Sequence, residues 1–325
     1  MQTVLVTGGA GYVGSHACKA LAAAGWRPVV YDDLSTGHPE LVRWGPLEQG
    51  DIGDPARLDD VLARHRPQAV MHFAAASLVG PSVSDPAATY RRNVAGSLAL
   101  LEAMRRHDIP VLVFSSSCAV YGLPERLPIA EDAPLHPVNP YGWSKAMVER
   151  LLDDFGAAYG LRSASLRYFN AAGADPMGEA GEDHEPETHL IPRALMAAAG
   201  LAPHLEVFGS DWPTADGTCV RDYVHVADLA DWHVQALRHL LAGKESQILN
   251  LGSGRGWTVR EVAATVERVT GRVVPLVLSP RRPGDPPVLV ADPARARQVL
   301  GLLSPPAGLD AMVDTAWRWL CRRRA

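Results

Sequence analysis

Tyr141 and Lys145 stand four residues apart in the segment Tyr141-Gly142-Trp143-Ser144-Lys145, directly after Asn139-Pro140. On a helix that spacing puts both side chains on one face. A free phenol ionises at about pH 10, and a neighbouring ammonium favours its phenolate, which makes a general base closer to neutrality. The same spacing arises by chance on solvated helix faces, so the pair gains its meaning from its company. Lysine is scarce here, with Lys19, Lys145 and Lys244 the only three. Upstream, Ser115-Ser116-Ser117-Cys118 closes the apolar run that starts at Val111. In an open α/β sheet, residues just past the carboxyl ends of strands line the ligand crevice. Three serines at that point also serve as turn-formers, and Ser117 alone is assigned to chemistry. Its hydroxyl would hydrogen-bond the oxygen whose proton Tyr141 removes.

A second constellation lies at the N-terminus, in Thr7-Gly8-Gly9-Ala10-Gly11-Tyr12-Val13-Gly14. Gly8, Gly11 and Gly14 give G-x-x-G-x-x-G, a spacing variant of the dinucleotide fingerprint. Glycines there permit a tight turn, close approach of backbone to a pyrophosphate, and close helix–strand packing. The helix that opens at Tyr12 offers its free N–H groups to phosphate. Any α/β protein can carry a glycine turn, but this one follows the first strand. Val29-Val30-Tyr31-Asp32-Asp33 then brings a carboxylate about 20 residues further on, where a dinucleotide ribose lies. Asp32 would accept the ribose hydroxyls and repel an extra phosphate, so the cofactor is read as NAD. Asp33 suits a loop or capping role better, and Asp51-Ile52 is placed beside the adenine.

These groups need a frame, and the apolar pattern supplies one. Strands are expected at 4–7, 28–31, 69–73, 111–115 and 163–169, with helices at 12–24, 54–65, 89–107 and 141–159. Near-continuous apolar strands separated by helices argue for a Rossmann-type doubly wound α/β fold with a parallel sheet. Past Ala171 the texture changes to a loop rich in Gly, Asp, Glu and Pro. A smaller mixed α/β part follows, with helices at 190–199, 228–241, 259–269 and 309–321. Residues 1–170 are assigned to the NAD-binding domain, with 222–252 returning to it, and 171–325 to a substrate domain. The ligand is expected in the cleft between them.

Composition narrows the function class. Thirty-one basic against 36 acidic residues give a net charge of -5, which excludes a basic field for nucleic acid or an anionic membrane. No apolar stretch is long enough for a membrane span or has the flanks of a leader. Cys18, Cys118, Cys219 and Cys321 form no C-x-x-C pair, and a reduced, cytoplasmic setting is expected.

Taken together the motifs resemble the extended short-chain dehydrogenase/reductase family and, within it, the UDP-glucose (UDP-galactose) 4-epimerases. The resemblance runs over nearly the whole chain. It includes Val6–His16, His72-Phe73-Ala74-Ala75, Phe114–Gly122, Asn139–Lys145, Leu166–Asn170, Gly181–His184, Glu187–Pro192, Asp216–Asp222 and Arg281–Asp285. What it implies follows residue by residue. Tyr141 is the base, Lys145 its electrostatic partner and a ligand of the nicotinamide ribose, and Ser117 the hydrogen-bonding hydroxyl. Tyr12, Val13, Asp33, Leu34, Ser35, Thr36, Gly37, Phe73, Ala74, Ala75, Ser77 and Phe169 join the glycines, Asp32, Asp51 and Ile52 around NAD. Asn170, His189, Leu190, Glu206, Val207, Phe208, Arg221, Arg282 and Asp285 hold the UDP of a UDP-hexose, with Leu289 bounding the sugar. Guanidinium forks suit a diphosphate. A homodimer is implied as well, through a helix pair carrying Met147, Leu151 and Leu152, while Val94, Leu98 and Leu101 read as core.

Three positions depart from the family pattern. Arg92 stands where relatives have asparagine near the nicotinamide, Ser77 where some have lysine, and Leu289 where some have tyrosine. Leucine leaves the substrate range open towards N-acetylhexosamines. The mechanism implied is reversible oxidation at carbon 4 through a 4-keto hexose. A nucleotide-sugar dehydratase would want an acid and a carboxylate after the strand-end hydroxyl, where this chain has Cys118-Ala119. A nucleotide-sensing regulator could dispense with the Tyr–Lys pair. Glu182, Asp183, His184, Glu185, Glu187 and His189 match no familiar ligand spacing, so they read as a pocket-edge loop and no metal is expected. Arg322, Arg323 and Arg324 read as a solvated tail.

Overall fold

The structure, a computed structural model, describes residues 2–282 and 284–323; Pro283 of the Arg281–Asp285 motif and Arg324 of the terminal arginine run lie outside them. By compactness the chain divides into two units: 1–122, 134–168 and 230–249 form the first, and 123–133, 169–229 and 250–325 the second.

The first unit is built on seven strands: β1 (Thr3–Thr7), β2 (Arg27–Asp32), β3 (Leu47–Gln49), β4 (Ala69–His72), β5 (Val111–Ser117), β6 (Arg162–Tyr168) and β7 (Gln247–Leu251). Their spatial order is β7-β6-β5-β4-β1-β2-β3. Each neighbouring pair from β3 through β6 runs parallel. Every residue of β4 and β5 is buried, as expected for strands with helices on both faces. Leu5, Val29, Val70, Leu112, Leu58, Leu100 and Leu152 meet in one core. Order reverses beside β1, the kind of switch point at which open α/β sheets bind ligands outside the carboxyl ends of their strands.

Local chemistry fixes the helix that carries Tyr141. Pro140 sits in its first turn, and the Asn139 side chain accepts a bond from Gly142 N at 2.9 Å. Gly160, at φ +75, ends it after Tyr159. Asparagine at the N-cap, proline just inside and a left-handed glycine at the end are the usual start and stop signals. The helix expected at 89–107 is instead three successive pieces: Pro86–Tyr90, a π-helical turn Arg91–Ala95, and Gly96–Arg106. Such a widened turn re-aims side chains by one residue, and propensity in the sequence does not reveal it.

In the second unit the strand Val220–His225 pairs with Asn170–Ala172, Gly256–Thr258 and Val288–Leu289. Leu205–Phe208 pairs with Leu276–Ser279. Helices Leu190–Ala198, Val259–Thr270 and Leu309–Arg322 share a core of Ile191, Leu195, Val262, Val266, Met312 and Val313. Arg322 and Arg323, expected in a solvated tail, are instead tied to the second unit. Arg322 donates to Met177 O at 2.6 Å, and Arg323 pairs with Asp183. Among the described residues no helix is long and apolar enough to cross a membrane, and all four cysteines are free.

Candidate active site and dinucleotide loop

The glycine loop has the geometry that a dinucleotide demands. Gly8 has φ +73, and a Cβ there would lie 2.5 Å from Ala74 N. A Cβ on Gly14 would overlap the Gly8 carbonyl oxygen, so the helix starting at Tyr12 packs directly on the turn. Gly11 differs, since its Cβ would meet only Gly8 O, at 3.4 Å. Gly11 is also the N-cap of helix Tyr12–Ala23 and brings no side chain to cap it. Bare N–H groups and room for a pyrophosphate therefore coincide, and the residues fit NAD.

At the end of β2 the Asp32 carboxylate is buried and accepts Ala10 N and Leu34 N, each at 2.9 Å. Burial pushes its pKa up, and those two N–H groups pull against that. The two bonds fasten the glycine loop to the loop of Leu34, Ser35, Thr36 and Gly37. Asp33 is a turn residue, with Ser35 N and Ser35 Oγ on its Oδ1 at 2.9 and 2.7 Å. Asp51 follows β3, where its carbonyl accepts the Tyr31 hydroxyl at 2.8 Å, and Ile52 is buried beside it. Phe73, Ala74 and Ala75 follow β4, and both Phe73 N and Ala74 N bond Thr7 O, which ties them to the glycine loop. Ser77 is exposed.

Tyr141, Lys145 and Ser117 come together beside β5. The Tyr141 and Ser117 hydroxyls are hydrogen-bonded. Lys145 Nζ lies 5.7 Å from the centre of the Tyr141 ring and donates to Ser115 O at 2.8 Å. The electrostatics differ from the simple expectation. Burial, with Tyr168 nearby, pushes the phenol up, and Ser117 lowers it only in part. Burial also brings Lys145 down to about 7, against the raising effect of Glu149. Burial therefore outweighs the lowering by Ser117, and the phenol is not acidic in these surroundings. A positive charge beside the ring, such as a protonated Lys145, would favour its phenolate.

Several neighbours escaped the sequence reading. Arg167 makes two bonds to the Glu149 carboxylate, at 2.9 and 2.6 Å, and donates to the Tyr121 hydroxyl at 2.9 Å. Ser116 Oγ donates to Glu149 at 2.6 Å. Glu149 follows Lys145 by four residues, the one signal that could have marked it. Tyr168 bonds Ser115 at 2.7 Å. His72, held by Thr7 at 2.7 Å and Ser97 at 2.9 Å, is brought by burial and Lys145 to about 3 and stays neutral. Arg92 is exposed, whereas its neighbour Asn93 is buried. Asn93 binds both polar atoms of the Ala76 backbone, at 2.7 and 3.0 Å, and the Ser144 hydroxyl at 2.9 Å. It links the loop after β4 to the turn between Tyr141 and Lys145.

The candidate UDP residues all belong to the second unit. Arg221 lies in register with Leu289 and donates to Pro286 O at 2.9 Å. Arg282 stacks on Phe208 at 4.7 Å and pairs with Asp285 at 2.9 Å. Asn170 is anchored to Asp222 O at 2.8 Å, and Glu206 accepts Ser279 at 2.6 Å. Val207 is buried core, in register with Leu278 of the neighbouring strand. His189 caps the helix that Leu190 opens, and its Nδ1 bonds Glu182. Phe169, just after β6, is buried.

Comparison with known proteins agrees with this picture. The NAD dependent epimerase/dehydratase family matches residues 4–252. A UDP-glucose 4-epimerase of Rhizobium meliloti is 55% identical over 99% of this chain and 98% of its own. The crystal structure of UDP-glucose 4-epimerase from Brucella ovis in complex with NAD is 53% identical, with TM-score 0.95 and 98% of each chain covered. A UDP-glucose-4-epimerase from Stenotrophomonas maltophila, solved with NAD and formylated UDP-arabinopyranose, is 41% identical over 100% of each chain, with TM-score 0.96. By sequence and by fold, the chain belongs to the NAD dependent epimerase/dehydratase family.

Proposed function

We propose that this chain is an NAD-dependent UDP-hexose 4-epimerase that interconverts UDP-glucose and UDP-galactose. The observation that carries the reading is the meeting of Tyr141, Ser117 and Lys145 at the end of β5. It occurs in a chain alignable almost end to end with UDP-glucose 4-epimerases. NAD, when bound, supplies a two-electron acceptor and donor at its nicotinamide. Ser117 holds the 4-oxygen of the hexose by a hydrogen bond. The Tyr141 oxygen takes the 4-hydroxyl proton as carbon 4 is oxidised to a ketone, and later gives it back. Lys145 lends positive charge to the phenolate and orients the cofactor ribose. Asn170, His189, Leu190, Glu206, Val207, Phe208, Arg221, Arg282 and Asp285 grip UDP, while the hexose turns about its link to the diphosphate and presents its other face. Binding energy belongs on the nucleotide, because a tightly held sugar could not turn. Leu289 bounds the sugar.

A cytoplasmic location and a role in galactose metabolism accompany this reading, supported by the free cysteines and by the substrate. A homodimer is supported by exposed apolar side chains on two adjacent helices: Leu98 on Gly96–Arg106, and Trp143, Met147 and Tyr159 on Pro140–Tyr159. Leu152, expected in that helix pair, is core instead, whereas Leu98, expected in the core beside Leu101, is exposed. The test is to incubate the purified protein with UDP-galactose and no added reductant, then resolve the nucleotide sugars. UDP-glucose is expected at equilibrium with its epimer. A dehydrated product, or NAD binding with no turnover, would sink the proposal.

A further inference from the structure

The loop ahead of helix Leu190–Ala198 collects four side chains, of which the proposed function uses only His189. Glu182, His184, Glu187 and His189 each offer one ligand atom, and these atoms all lie within 4.8 Å of one another. We propose that they form a binding site for one divalent transition ion of the zinc class, with two imidazole nitrogens and two carboxylate oxygens as ligands.

Three of the nitrogen–oxygen separations are close to those of a coordination shell, and the fourth, His189 Nδ1 to Glu182, is a direct hydrogen bond that an ion would replace. His184 Nδ1 is 3.2 Å from Glu182 Oε1 and 3.7 Å from Glu187 Oε2. His189 Nδ1 contacts the same Glu182 oxygen and lies 3.7 Å from Glu187 Oε1. Four ligands on tetrahedral zinc, with bonds of about 2.1 Å, stand about 3.4 Å apart. Both imidazoles turn the same nitrogen inward, with their rings edge to face at 5.2 Å.

Burial and support point the same way. The Glu182 and Glu187 side chains are only 5% and 9% exposed, and carboxylates so placed need a cation. With neutral imidazoles, a divalent ion balances the two negative charges. Glu187 is held by Thr188 N and His189 N at 2.7 and 2.8 Å. Glu182 O accepts Trp319 Nε1 at 2.9 Å. The two bonds on Glu187 orient its carboxylate as such bonds orient metal ligands, while the Trp319 bond fixes only the Glu182 backbone. Two nitrogens and two oxygens suit zinc, cobalt or nickel and not magnesium or calcium, which take oxygen shells.

The measurement uses the full chain, NAD-saturated and freed of metal over a chelating resin, titrated with Co2+. One equivalent per chain is expected, with the visible bands of low-coordinate cobalt, displaced by Zn2+ and indifferent to a large excess of Mg2+. His184→Ala and, separately, Glu187→Gln should each weaken binding by about 100-fold or more with far-UV circular dichroism unchanged. A parent protein that binds no Co2+ at micromolar concentration overturns the site, and so does equal binding by parent and both variants. In either case the cluster is a proton-shared ion-pair network. If the variants do not fold, imidazole NMR of the parent decides: Zn2+ must shift two histidine rings, and unmoved rings refute the proposal.

Discussion

The burial of Lys145 has a measurable energetic consequence. Its ammonium is 4% exposed, donates to Ser115 O at 2.8 Å and sits 4.9 Å from the centre of the Phe114 ring. Desolvation brings its pKa from 10.5 to about 7, with Glu149 opposing. The unfolded chain keeps a proton that the folded chain releases, so this residue makes stability rise with pH between about 7 and 10.5. A depression of that size corresponds to at most about 4 kcal/mol of lost stability at pH 7 and about 2 kcal/mol at pH 9. Lys145→Met keeps the length of the side chain and removes the charge, at the expense of the bond to Ser115, about 1 kcal/mol. The variant is therefore expected to lose turnover while its stability depends less on pH. Urea unfolding of both proteins at pH 7 and pH 9, with the same excess of NAD, yields the double difference, in which a constant change in NAD affinity cancels. About 2 kcal/mol is expected, the parent gaining more between the two pH values. Equal pH dependence in parent and variant would refute the argument that the buried ammonium is costly here.

Four further outcomes follow from the same geometry. Tyr141→Phe should retain NAD and UDP binding by calorimetry while turnover falls by about 100-fold or more; undiminished turnover removes Tyr141 as the base. Gly14→Ala, whose Cβ would overlap Gly8 O, should lower the melting temperature, whereas Gly11→Ala, with its nearest contact at 3.4 Å, should weaken NAD binding with the fold intact; the reverse ranking contradicts the loop assignment. Glu149→Gln strands the Arg167 guanidinium and should cost about 3–5 kcal/mol in denaturant unfolding, most of it recovered in the double variant Glu149→Gln/Arg167→Met. Leu289→Tyr should reduce turnover of UDP-N-acetylgalactosamine more than that of UDP-galactose; equal losses on the two substrates dismiss Leu289 as the boundary of the sugar pocket.

The chemistry of the first unit was legible because its signals are local. G-x-x-G-x-x-G after an apolar strand, a carboxylate at the end of the next strand, and Tyr141 with Lys145 behind an Asn-Pro helix start each lie within a few residues. Physical necessity acts over the same short range, in left-handed turns, helix caps and the spacing of one helical turn. The π-helical turn at Arg91–Ala95 and the swap of roles between Arg92 and Asn93 were not legible. They depend on which face of a helix meets the loop after β4, and that is a packing outcome.

Charge tells the same story more sharply. The sequence by itself determined which groups are present: a phenol, an ammonium, a strand-end hydroxyl and a phosphate-ready glycine loop. Only the tertiary structure decided their energies, since burial raises the phenol and lowers the ammonium, and burial is a property of everything packed around a residue. The same holds for Glu149 with Arg167, 18 positions apart and paired at 2.6 Å, and for Glu182, His184, Glu187 and His189. Their spacing matched no ligand pattern, yet the path of the loop draws their ligand atoms to within 4.8 Å of one another. Local stereochemistry is written in neighbouring residues, whereas solvation and long-range pairing exist only once the chain has closed on itself.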